Sequence, residues 1–157
     1  MRDTLDDLDR RIIALLQRNG RIANLEVSRQ LGVAEATVRK RLERLLEEGI
    51  IRVTAVVEPI RLGYTVRAII GLQVEAQRIE EAAQKLAALP AVRSASVTAG
   101  TFDVVVEAAF ASNDALYAFL TQELACIEGV RRTETFHVLR AVKSDSEWQL
   151  PEAPMTV

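Results

Sequence analysis

The sequence predicts an α+β chain in two parts: three short helices, then a β-α-β-β-α-β module, with a strand linking them. Three observations predict it. Apolar residues keep a 3.6-residue period up to Gly49, and the period changes to 2 at IIRVTAVVE. Beyond that, two β-α-β runs share similar endings, LPAVRSASV (89–97) and IEGVRRTET (127–135).

Leu8, Ile12, Leu15 and Leu16 form the stripe of a first helix, expected to close at Asn19-Gly20 with the glycine left-handed. A second helix is expected from about Asn24, as N-cap, through Val27 and Leu31 to Gly32. A third runs from about Ala34 through Val38, Leu42 and Leu45 to Gly49. None is long enough to stand alone in water, but three facing stripes make a small core. Residues 50–58 are rich in β-branched side chains and read as a linking strand, broken by Pro59.

In the second part, Val66, Ala68, Ile70, Leu72 and Val74 define one apolar face of a strand, and Ile79, Ala83, Leu86 and Leu89 return to helical spacing. Ala95–Ala99 and Phe102–Phe110 read as a strand pair joined at Ala99-Gly100-Thr101. Leu116, Phe119, Leu120, Leu124 and Ile127 form a helix capped by Ser112 or Asn113, and a last strand covers about Val130 to Val142. The order is that of the ferredoxin-like sandwich, with helices on one sheet face. Ile69, Val105 and Leu139 are expected on the other face, which has no helix left to cover it and therefore suits a partner subunit. His137, in step with Thr133 and Thr135, is assigned to that same uncovered face. The expected divisions are 1–50, a helix-turn-helix; 51–63, a strand linker; 64–145, the sheet module; and 146–157, a mobile tail.

Composition excludes several classes. The chain of 157 residues is 49% hydrophobic and 27% charged with a net charge of −2, which is globular and not disordered. It has no apolar run of membrane-spanning length, and its start, MRDTLDDLDR, is acidic where a secretion signal is basic; a cytoplasmic protein with no membrane partner is expected. A single cysteine, Cys126, and a single histidine, His137, leave no disulfide and no zinc set. Neither cofactor nor metal is expected. Carboxylates such as Glu80-Glu81, or Asp103 with Glu107, have nothing placed opposite them, so no enzymatic role is assigned.

Charge is not evenly spread. Residues 1–52 carry 11 Lys/Arg against 9 Asp/Glu, with Asp3, Asp6, Asp7 and Asp9 clustered at one end and Arg39, Lys40, Arg41 and Arg44 at the other. In VSRQLGVAEATVRKRLERL (27–45), Gly32 supplies a sharp turn and Ser28 is small where two helices cross. That pattern fits a helix-turn-helix whose second helix enters a DNA major groove. Its outward residues, Glu35, Ala36, Thr37, Arg39, Lys40 and Arg44, are the candidates for DNA contact: small residues allow close approach, and cations neutralise phosphates. The ordinary alternative is a solvated charged face.

Gly100, Thr101, Phe102 and Asp103 sit at a strand turn, with Thr133 and Thr135 on one face of another strand. Asp103, backbone amides and threonine hydroxyls could hold the ammonium and carboxylate of a small zwitterion. A plain hairpin turn with strand-forming threonines is the competing explanation.

Taken together, LDDLDRRIIALLQRNGRIANLEVSRQLGVAEATVRKRLERLLEEGIIRVTAVVEPIRLG resembles the N-terminal half of the Lrp/AsnC, or feast/famine, transcription regulators. The opening LDDLDRRIIALLQRNGR, the second helix with Thr37-Val38 and Arg41, and the linker Ile51 through Val57, Pro59 and Leu62-Gly63 carry the likeness, which extends over about residues 5–145. The resemblance implies a DNA-reading helix on Ala34–Leu46 and a linker strand on Ile51–Glu58. It further implies dimers built on sheet faces, often stacked into octamers, and an amino-acid effector bound between subunits near Gly100–Asp103, Thr133 and Thr135. Thr101 departs from the acidic residue many members carry there. The reading is a sequence-specific transcriptional regulator of double-stranded DNA that responds to an amino acid or similar metabolite. Its rival is a metabolite-sensing scaffold whose helical module binds protein.

Overall fold

The computed structural model describes residues 5–143 and 148–150 and divides the chain into two compact units. The first holds the chain up to Val56 together with the returning segment at Lys143 and Trp148–Leu150; the second is Val57–Val142.

In the first unit, α1 is Asp7–Arg18, α2 Asn24–Leu31 and α3 Glu35–Glu47. Their stripes meet in a core of Ile12, Ile13, Val27, Val38 and Leu45, flanked by Leu8, Leu16, Leu31 and Val33. Two expected helix ends differ. Gly20 is not left-handed: α1 closes on Asn19 in extended conformation, and the Asn19 side chain accepts from the Arg21 N–H at 3.0 Å, so the turn needs no glycine. Asn24 lies just inside α2, and Ala23 takes the cap position without a side-chain bond. The segment 51–58 is not a strand within this chain. Its apolar residues Val53, Val56 and Val57 are exposed, and a ladder needs a neighbouring backbone that none of the described residues supplies.

The second unit is β1 (Val66–Val74), α4 (Ile79–Ala87), β2 (Val92–Val97), β3 (Val104–Phe110), α5 (Asn113–Ala118) and β4 (Val130–His137). The strands pair antiparallel in the order β2-β3-β1-β4, the ferredoxin-like plan. Ala68, Ile70, Leu72, Val104 and Val106 pack beneath Leu86, Phe119 and Leu124. Ser112 caps α5 by accepting from the Ala115 N–H at 3.1 Å. The single long helix expected here instead widens into a π turn at Phe119–Glu123 and tightens at Leu124–Cys126. Five residues of α-helix would turn Leu124 well away from Phe119; the wider turn keeps both on the sheet.

β4 stops at His137, five residues short of expectation. Opposite it β1 begins at Val66, and after Val138 N–H donates to Arg67 O at 2.9 Å no further strand is available. Leu139 therefore lies beyond the sheet and is 92% exposed, not on its uncovered face. That face is made by Arg67, Ile69, Gly71 and Gln73 of β1 with their partners Val105, Glu107, Phe136 and Glu134.

Candidate DNA interface and effector site

The turn between α2 and α3 is set by Gly32, whose φ of 69° is left-handed, so the chain can reverse where a side chain would be strained. Ser28 is buried at the crossing and its hydroxyl donates to Leu25 O at 2.8 Å, which satisfies a polar group where only a small one fits. Val38 and Leu45 anchor α3 to the core and leave Ala36, Thr37, Arg39 and Lys40 exposed, with Glu35 half-buried. Arg39 reaches Glu35 at 3.1 Å one turn back. Such an exposed pair contributes a few tenths of a kcal/mol, so Arg39 is readily released to another anion.

Arg44 is placed differently from its outward neighbours. Its Nη2 lies 2.5 Å from the carboxylate of Asp9, a fully buried acid on α1, and Arg41 reaches the same carboxylate at 3.2 Å and Asp6 at 2.6 Å. Asp6 and Asp9 also form a capping box: the Asp6 carboxylate accepts the Asp9 N–H at 2.8 Å, and Asp9 accepts the Asp6 N–H at 3.2 Å. The donated Asp9 N–H, with Arg41 beside it, holds the Asp6 carboxyl below the ordinary aspartate range, and Asp6 in turn raises Arg41. The two charge clusters that look separate in sequence thus close on each other between α1 and α3. Asp9 was missed as a key residue. Its signal was an acid in step with Ile12, Ile13 and Leu16, on the stripe that should be apolar.

The β2–β3 connection, residues 98–103, is clasped to the end of β1. Asp103 N–H donates to Leu72 O at 2.9 Å, and the Asp103 carboxylate accepts the Val74 N–H at 2.8 Å, where the β1–β4 register shifts. Gln73 donates to Thr101 O at 3.0 Å, and the Thr98 hydroxyl to Phe102 O at 2.6 Å. The Phe102 ring lies directly over Gly71: a Cβ there would meet the ring at 2.5 Å. Gly71 is a second residue that sequence reading missed, being taken as an ordinary alternating position of β1.

Thr133 and Thr135 stand opposite Leu72 and Ile70, whose side chains are in the core. Directly opposed residues of antiparallel strands share a face, so both threonines and His137 point to the helix side of an edge strand. The expectation that they line the uncovered face fails. Alternation fixes which residues share a face, but only the register fixes which face it is. Thr133 lines a shallow cavity with Leu120, Leu124 and Val130, whereas Phe102 covers Gly71 on the opposite side. One chain therefore does not bring Gly100–Asp103 and the two threonines into one pocket.

A helix-turn-helix with an exposed cationic helix, followed by a ferredoxin-like module, is the arrangement of a DNA-binding regulator with a second, ligand-binding domain. Comparisons agree. The family profile described as winged helix-turn-helix DNA-binding matches residues 5–52, and that described as Lrp/AsnC ligand binding domain matches residues 67–148. The HTH-type transcriptional regulator FL11 of Pyrococcus furiosus is 39% identical over 148 residues, covering 94% of this chain and 97% of that protein. The HTH-type transcriptional regulator Ptr1 of Methanocaldococcus jannaschii is 35% identical, over 91% of this chain and 97% of its own. Among solved structures, AsnC of E. coli superposes with a TM-score of 0.85 at 31% identity, covering 96% of this chain and 99% of its own. A transcriptional regulator of Neisseria meningitidis, solved as an L-Met complex, gives 0.85 at 28%, over 94% and 97%. The chain belongs to the Lrp/AsnC family of transcriptional regulators. Among the described residues, no helix is long and apolar enough to cross a membrane, and no cluster of metal-ligating side chains is present.

Proposed function

We propose that this regulator reads duplex DNA with the outer face of α3, works as a two-fold dimer or a larger ring of dimers such as an octamer, and answers to an amino acid or similar metabolite. The observation that carries the DNA reading is the division of labour along α3. Glu35, Ala36, Thr37, Arg39 and Lys40 are on its accessible side, while Arg44 and Arg41 hold the helix to Asp9. Arg44 then acts by orienting α3 more than by touching a base. A two-fold dimer presents two such helices to half-sites one helical turn, or a multiple of it, apart.

Dimerisation is supported by the uncovered sheet face, where Phe136 is 48% exposed beside Ile69 and Val105, and by the extended 51–58 segment, which lacks a ladder partner. For the effector, support comes from the clasped turn Gly100, Thr101, Phe102 and Asp103, together with the L-Met bound to the Neisseria meningitidis relative. Thr133 and Thr135 join that turn only when another copy contributes them, which makes effector binding report on assembly. The effector shifts that equilibrium by the difference in its affinity for the alternative assemblies. A footprint on the protein's own promoter, with and without a panel of amino acids, tests the reading. Protected half-sites at multiples of about 10 bp whose extent changes with one amino acid support it. Protection that is absent, or unchanged by every amino acid, rejects the DNA or the effector part respectively.

A further inference from the structure

A groove on the DNA-binding unit runs between α1 and residues 50–56 and is walled by Leu5, Ile13, Leu16, Val53 and Val56. Trp148 and Leu150 line it from the other side. The carboxamide of Gln17 grips the Trp148–Leu150 segment by both ends: its Nε2 donates to Trp148 O at 3.1 Å, and its Oε1 accepts the Leu150 N–H at 2.8 Å. A side-chain amide used this way imitates one rung of a β ladder, and its specificity is for extended backbone. Leu150 packs against the unit's apolar core alongside Leu5 and Ile51.

On the outer side of α1, Leu150 and Gln149 form one wall of a second cleft, lined by Asp7 as well as Arg10, Arg11 and Arg18. Among the described residues no carboxylate lies within ion-pair distance of these three arginines.

We propose that Trp148–Leu150 is a strap of the DNA-binding unit: docked in the α1 groove through Gln17, it completes the core of the three helices and so sustains their affinity for DNA. A core built on helices this short gains from any added apolar cover, and an intact α1 is what fixes α3 through Asp9.

The experiment uses the whole chain, wild type and Gln17→Ala, and a chain ending at Glu147. Trp148 is the only tryptophan and is 56% exposed when docked, so its emission reports docking together with exchange at the Leu150 amide. In Gln17→Ala the emission shifts towards that of tryptophan in water, the Leu150 amide loses hydrogen-exchange protection, and α1 and residues 50–56 exchange faster, all without DNA present. The shortened chain repeats the faster α1 exchange, keeps the sheet unit's exchange pattern, and binds duplex DNA several-fold more weakly. Unchanged Trp148 emission and Leu150 exchange in Gln17→Ala overturn the docking. Unchanged α1 exchange in the shortened chain overturns the strap's structural role, and unchanged DNA affinity overturns its link to DNA. The exchange results stand whether or not the DNA-binding reading does.

Discussion

Asp9 is the residue on which the DNA-binding unit turns. Its fully buried carboxylate takes an N–H from the start of α1 and two guanidinium groups from α3, so one side chain caps a helix and sets the position of another. Removing one partner of a buried charge network costs about 3 kcal/mol, the lower end of the usual range applying because Arg41 and Arg44 remain partly solvated. Asp9→Ala is expected to lower the unfolding free energy by that order in denaturant titrations. Arg44→Ala is expected to lose stability together with DNA affinity, and by this coupling differs from Arg39→Ala. At the β2–β3 turn, Asp103 accepts the Val74 N–H and is the proposed partner of the effector's ammonium group, and substitution separates the two. Asp103→Asn keeps an oxygen for the Val74 N–H and removes the charge. It should unfold like the wild type and bind the effector at least about 10-fold more weakly by calorimetry, since a charge-assisted bond becomes a neutral one. Asp103→Ala orphans that N–H and is expected to cost about 1–3 kcal/mol as well.

At the scale of the element, α3 carries two sets of cations in different surroundings, Arg41 and Arg44 against Asp9 and Arg39 and Lys40 exposed. Arg39→Ala with Lys40→Ala should flatten the salt dependence of duplex binding, by about 0.9 in log–log slope for each phosphate no longer neutralised, while leaving the unfolding midpoint close to wild type. An unchanged slope would remove α3's outer face from the interface. The start of α1 sets an acid limit. Because the folded protein holds Asp6 below its unfolded value, through the Asp9 N–H and then Arg41, the carboxylate's contribution is complete above the ordinary value of 3.8. It is lost as pH falls through the lower folded value. The helical unit should therefore lose stability progressively below about pH 4, and Asp6→Asn should flatten that part of the pH profile by removing the titration. Circular dichroism melts between neutral and acid pH check both.

For the whole molecule, the unfinished features point outward together. In the proposed dimer a second copy would cover the sheet face carrying Ile69, Val105 and Phe136, pair the 51–58 segment and bring Thr133 and Thr135 to the Gly100–Asp103 turn. Ile69→Glu, placing a charge in the middle of that face, is expected to yield a monomer by sedimentation and to remove the concentration dependence of unfolding. A dimer that survives this change would place the interface elsewhere.

By itself the sequence determined what depends on neighbours close along the chain. The three helices, the sharp turn at Gly32, a cap at Ser112 or Asn113, the β-α-β-β-α-β order and the Lrp/AsnC likeness were legible from period, cap and turn residues, because those are local consequences of backbone geometry. Tertiary structure alone decided what depends on register and on partners distant in sequence. Alternation put Thr133, Thr135 and His137 on one face, but only pairing with β1 turned that face towards the helices. Arg44 resembled its cationic neighbours until folding brought it to Asp9, 35 residues away. Gly71 and Gln17 carried no local signal, since the Phe102 ring over one and the Trp148–Leu150 backbone on the other arrive from remote parts of the chain. The physical reason is common to all of them: a side chain's task is set by what it meets, and these partners meet only after the chain has closed its long loops.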